Sequence, residues 1–147
     1  MTTERRCEWD GHRSINDLTL GGSIDRSSPR WILESVDDGG RSEKFIDARL
    51  DLGVTLFDDV VISIDCGDTF FAPGQPDNLI DTELWQLEAE VGHRFEPDAI
   101  ADELIFEAEV VGLSCIVMDG RVSCVWLADF DLVDEDTPDA PRPVGAG

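Results

Sequence analysis

Positive charge is what this chain lacks. Lys44 is its one lysine, and lysine and arginine together number 11 against 33 aspartates and glutamates, a formal net charge of -22 over 147 residues. Phosphate groups are repelled by such a surface. Direct electrostatic binding to nucleic acid is therefore excluded, and so is docking on anionic membranes. Long apolar runs are missing as well, and none approaches the ~20 residues of a membrane-crossing helix. Arg5-Arg6 has the look of a twin-arginine signal, but Cys7-Glu8-Trp9-Asp10 follows it instead of an apolar stretch. No export signal is read, and the expected compartment is the cytoplasm.

Several chemical signatures are also absent. The four cysteines, Cys7, Cys66, Cys115 and Cys124, form no CxxC pair, which argues against a disulfide-dense scaffold and against a zinc ribbon. No GxSxG occurs, and only His12 and His93 offer imidazole, so nucleophilic catalysis finds little support. Gly21-Gly22 and Gly39-Gly40 match neither phosphate-binding fingerprint. Carboxylates are so numerous that a close pair carries no information about acid–base chemistry, which needs a raised pKa in a pocket.

What is present is enough apolar material, 41% of residues, for a folded core. A chain of this length can bury about two-thirds of its unfolded surface. The expectation is one domain over residues 1–133, followed by an acidic, proline- and glycine-rich tail over 134–147. Ile46, Ala48, Leu50, Leu52, Val54 and Leu56 alternate with polar residues and predict one long strand over 45–57. Asp37-Asp38-Gly39-Gly40 predicts a turn before it, with Trp31 set opposite Ile46 and Leu33 opposite Lys44. Keeping Val54 against Ile64 on one face requires an odd-length loop or a bulge around Asp58 to Val60.

Over 79–91 helical and strand patterns compete, and good helix formers favour helix, with Asn78 or Asp81 as cap and Gly92 as stop. Pro97 suits the first turn of a second short helix. A parity change at Val110-Val111 predicts a bulge in a long strand over 106–118, and Asp119-Gly120 predicts a tight hairpin returning through 121–132. The fold class expected is α+β: an antiparallel sheet of five or six strands with one or two helices packed on one face.

Four constellations carry candidate chemistry. The Asp119-Gly120 turn, taken without irregularity, puts Cys115 opposite Cys124 in a non-hydrogen-bonded pair about 4.5 Å apart at Cα, close enough to consider a disulfide; reduced thiols are the expectation in the cytoplasm. Cys7, His12, Cys66 and His93 are the soft metal donors, with spacings unlike structural zinc sites. Asp58, Asp59, Asp65 and Asp68 are hard donors without calcium-loop spacing. No metal and no cofactor are expected. Last is the acidic strip Asp129, Asp131, Asp134, Glu135, Asp136 and Asp139, with Phe130 and Leu132 among its first members. It is the candidate partner-binding surface, able to imitate phosphates to a basic protein.

Acidity of this order has three sources: adaptation to molar salt, a surface matched to a basic partner, or drift. The functional expectation is a non-catalytic acidic protein-binding module that neutralises or regulates a basic protein, in the general manner of immunity proteins and DNA mimics. The alternatives are a small enzyme or ligand binder of a halophile, and a structural subunit of a larger assembly.

Overall fold

The structure is a computed structural model, and it describes residues 6–47, 49, 51–97 and 104–128. Two short strands, β1 (Ser14–Ile15) and β2 (Leu18–Thr19), form a small hairpin. The remaining strands are β3 (Ile32–Asp37), β4 (Ser42–Asp47), β5 (Leu52–Phe57), β6 (Val60–Cys66), β7 (Glu96–Pro97), β8 (Ile105–Ala108), β9 (Leu113–Met118) and β10 (Arg121–Ala128). They make one 8-stranded antiparallel sheet in the order β3-β4-β5-β6-β10-β9-β8-β7. The only helix of the α type among the described residues is α1 (Leu84–Val91).

This corrects the expected α+β class with five or six strands and one or two helices on a face. The sheet is larger because two runs expected as single long strands are hairpins, and among the described residues α1 is the one α-helix. Ile46 to Leu56 does not run straight: β4 stops at Asp47, a turn follows in which Asp51 takes a φ of 50°, and β5 begins at Leu52. Asp47 pairs with Leu52 across that turn, so the core face is odd-numbered on β4 and even-numbered on β5. Alternation of hydrophobicity cannot distinguish a strand from a hairpin whose turn preserves the alternation. The second case is β8 and β9. The parity change at Val110-Val111 marks a 3-10 turn, Glu109–Val111, closed by Gly112 at a φ of 78°. Gly112 admits no side chain, since a Cβ there would lie 2.8 Å from the Ala128 carbonyl oxygen.

Other elements follow the sequence more closely. Asp58 and Asp59 take φ values of 51° and 69° in a two-residue turn, Leu56 pairs with Val61, and a bulge then restores Val54 to Ile64. Of the odd-length loop or bulge that the sequence requires, the structure takes the bulge, between the Thr55–Ser63 and Leu56–Val61 pairs. Gly92 ends α1 in the left-handed conformation, while the cap is Glu83 and not Asn78 or Asp81. Asn78 instead braces a loop, its side chain accepting from Phe70 N–H and Ile80 N–H. Pro97 sits in β7, and the stretch after it, over which a second short helix is expected, lies outside the described residues up to residue 103. Trp31 immediately precedes β3, and it is Ile32 that opposes Ile46.

One face of the sheet carries the core. Phe45, Val54, Ile64, Leu127 and Leu113 lie in a cross-strand row, and Leu52, Cys66, Val125 and Cys115 form the next. Over this face lie the small hairpin, the 68–80 loop, Leu87 of α1 and the N-terminal segment, in which Cys7 and Trp9 are buried. Cys7 N–H donates to Thr69 Oγ1, and Phe71 N–H donates to the Cys7 carbonyl.

Candidate functional site: an acid-rich end of the sheet

The cations of this chain are concentrated at one end of the sheet, a signal in the sequence that composition alone conceals. Residues 26–49, which hold β3 and β4, carry five acids and five bases. Residues 79–128, which hold α1 and β7 to β10, carry eleven acids and two bases, Arg94 and Arg121. The chain after residue 50 has 23 acids against three bases.

At the β3–β4 end the bases are consumed by local ion pairs. Arg30 Nε donates to Asp47 at 2.6 Å and its Nη1 to Asp17 at 2.8 Å. Asp47 is wholly buried, and burial alone would raise its pKa; the Arg30 hydrogen bond and the Arg49 backbone N–H outweigh that and hold it below the usual carboxylate value. Arg26 reaches both Glu43 and Asp59, and the Glu43 hydrogen bond foremost keeps its guanidinium pKa raised. Arg41 holds Asp58 with two hydrogen bonds, at 3.0 and 2.6 Å, and depresses its pKa. Lys44 lies 3.8 Å from Glu34 and 3.5 Å from Asp65.

At the opposite end, carboxylates stand among exposed apolar side chains. Trp85 projects from α1 with 61% of its surface exposed, and Val110 and Met118 are exposed on the neighbouring hairpins. Glu83 accepts from the Trp85 indole N–H at 2.5 Å, and Glu88 accepts from Phe95 N–H. A cleft of about 710 Å³ joins Trp85, Glu88, His93, Glu96, Pro97 and Phe106. Arg94 is its one cation and pairs with Glu96 at 3.4 Å. A second cleft of about 690 Å³ is lined by both histidines, His12 and His93, with Arg13, Glu109 and Val110. His93 therefore meets Trp85 in one cleft, but neither Asp65 nor Asp68 joins them.

The sequence-level candidates are dispersed. Cys115 does not face Cys124. The hairpin begins at Asp119-Gly120 as expected, with Val122 opposite Val117, but a bulge at Ser123 then pairs Cys124 with Ile116 and Val125 with Cys115. The two thiols consequently sit on opposite faces of the sheet. Burial pushes Cys115 up to about 12 and raises Cys124 as well. Cys7 and Cys66, read as isolated metal donors, are instead each other's neighbours: the Cys66 thiol donates to Cys7, holding Cys7 below an ordinary thiol pKa, while that contact and burial push Cys66 well above it. His12 and His93 are both exposed, unlike this buried pair. Among the described residues no group of three or more His, Cys, Asp or Glu side chains is placed to hold a metal. Asp58 and Asp59 are turn residues tied to arginines. The strip Asp129, Asp131, Asp134, Glu135, Asp136 and Asp139, and the boundary expected at 133, lie outside the described residues; β10 ends at Ala128, just before the strip in the chain.

The fold thus defines a mostly β protein in which the bases of β3 and β4 are held in ion pairs while the α1 and β7–β10 end has few bases to offset its acids. No protein-family model matches the chain, and no curated protein or solved structure matches it either. Among the described residues no helix is long and apolar enough to cross a membrane.

Proposed function

We propose that the chain is a non-catalytic binding module for a basic protein, and that the α1–β7–β8–β9–β10 end is its docking surface, extended by the strip from Asp129 to Asp139. One observation carries the reading: the acids are partitioned. Adaptation to salt calls for carboxylates spread evenly over the surface, whereas here residues 26–49 balance five acids with five bases and residues 79–128 carry eleven acids against two bases. Exposed Trp85, Val110 and Met118 add the apolar anchors that protein interfaces use beside charge. Charge of this kind steers encounter and selects the partner's sign more than it sets affinity. The working compartment under this reading is the cytoplasm, where the four thiols stay reduced.

The test compares two variants of equal net charge. Glu83→Gln/Glu88→Gln/Glu96→Gln alters the proposed surface; Asp10→Asn/Asp25→Asn/Asp37→Asn removes three acids elsewhere. Binding of an arginine- and lysine-rich peptide is followed by tryptophan fluorescence at near-physiological salt. The reading expects the first variant to lose at least tenfold and the second little. Equal losses would mean that total charge alone matters, and the docking surface would be abandoned.

A second reading, a small enzyme or ligand binder, draws on the cleft that gathers both histidines with Arg13 and Glu109. It expects a small anionic ligand to perturb the imidazole resonances of His12 and His93 together, and their silence toward a ligand library would remove its support.

A further inference from the structure

The two edges of the large sheet are built differently. Among the described residues β7 consists of Glu96 and Pro97, a glutamate and a residue with no N–H, both of which discourage another strand from adding. β3 is six residues long, and every one of them is exposed. Ile32 is 58% exposed, and Leu33 and Val36 are 48% exposed each. Leu33 opposes Phe45 and so belongs to the core row that continues through Val54 and Ile64. That apolar row ends in solvent at the sheet edge.

We propose that β3 is the interface of a symmetric dimer, in which β3 of one copy pairs antiparallel with β3 of a second and the two sheets become continuous. Three observations select a second copy of this chain over another occupant. First, electrostatics: two molecules of charge -22 repel, but residues 26–49 are neutral and their bases are already paired, so this edge is where like copies approach at least cost. A strongly basic partner has little to gain here and is directed to the opposite end. Second, self-complementarity. A bulge between Leu33 and Ser35 changes the parity of β3, which puts Leu33 and Val36 on the same face although they are three residues apart. An antiparallel two-fold pairing that opposes Leu33 to Val36 of the second copy makes that apolar contact twice, once on each side of the axis. Without the bulge the two side chains would lie on opposite faces and no such register would exist. Third, the same register opposes Glu34 to Ser35 and not to the other Glu34, and each Glu34 has Lys44 3.8 Å away to offset it.

The interface is small and exchangeable, since one edge strand a side falls below the area of a permanent complex. Its formation depends on concentration and strengthens with salt, which screens the residual repulsion between copies.

The decisive measurement is sedimentation equilibrium of the full chain from about 5 to about 200 µM, at low and at moderate salt. The expected result is a mass that climbs from the 16.2 kDa of one chain toward twice that value, at lower concentration when salt is added. The Leu33→Lys/Val36→Lys variant, altered only at exposed side chains, is expected to keep its circular dichroism spectrum and remain a single chain throughout. Register is read separately. Leu33→Cys/Val36→Cys should oxidise to a covalent dimer in the presence of a small-molecule disulfide, which is reduced as the new bond forms, and Ile32→Cys/Ser35→Cys should not. A chain that stays at 16.2 kDa in all conditions, or a dimer that survives the lysine variant or dissolves on Trp85→Ala, would overturn the proposal.

Discussion

The two ends of the large sheet share a backbone pattern and differ in what their charges do. Around β3 and β4 each cation is spent locally: Arg30 on buried Asp47, Arg26 and Arg41 on the two acids that form the β5–β6 turn. Around α1 and β7 to β10 the carboxylates have two bases among them. Charge at the first end is held in ion pairs of the fold, and charge at the second has few cations to offset it. Net charge summed over a chain hides this difference, and position along the sheet reveals it.

The largest test of the contrast is the removal of one acid from each end. Asp47→Ala leaves Arg30 facing a vacated, buried site and should cost about 3 kcal/mol in urea unfolding. Glu96→Gln at the other end should change stability by no more than ~0.5 kcal/mol. Comparable costs would erase the distinction.

Next in size is a backbone test within the acid-rich end. Gly112→Ala forces a Cβ against the Ala128 carbonyl at a φ of 78°, and should cost about 2 kcal/mol or more by the same unfolding assay.

Acid should open the ends in order. The pKa values of Asp17, Asp47 and Asp58 are lowered in the folded state, chiefly by hydrogen bonds from Arg30 and Arg41, with burial opposing at Asp47. Groups of this sign contribute stability that is fully present above the ordinary carboxylate pKa of about 4, and lose it as pH falls through the depressed values. Amide exchange of β3 and β4 is therefore expected to quicken below about pH 4 before that of β9. The reverse order would show that the pairs are not what holds the β3–β4 end.

The smallest effect is that of salt. Raising potassium chloride from about 0.1 M to about 3 M shortens the Debye length from ~10 Å to below 3 Å. Screening should protect β8 and β9 amides more than those of β4, where it also weakens attractive pairs. A protein unfolded at low salt would instead make the whole surface a matter of habitat.

How much of this was legible in the sequence follows from what each signal encodes. Turns were legible where residues with a specific backbone need sit at them: Asp119-Gly120 and Gly92 stop their elements where expected. Strand number was not, because Ile46 to Leu56 keeps one alternation through a turn, and the turn itself lacks a glycine signature. Cysteine partners failed for a related reason. A single bulge at Ser123 moves Cys124 to the other face, and bulges leave no reliable mark in one sequence. The neighbours Cys7 and Cys66 were invisible, since their contact depends on long-range packing of an N-terminal segment with little pattern of its own. The partition of charge was fully legible and required only that charge be counted in windows and not over the whole chain.

The placement of Cys7 has a consequence for the order of assembly. Its backbone partner Thr69 is 62 residues further along the chain. During synthesis the segment holding Cys7 leaves the ribosome before the surface that receives it has been made. At an elongation rate of about 5–20 residues per second it waits for seconds with Cys7 and Trp9 uncovered. Cys7 is thus enclosed only after residue 69 has been made, and over that interval the thiol that later meets Cys66 is open to whatever chemistry surrounds the nascent chain.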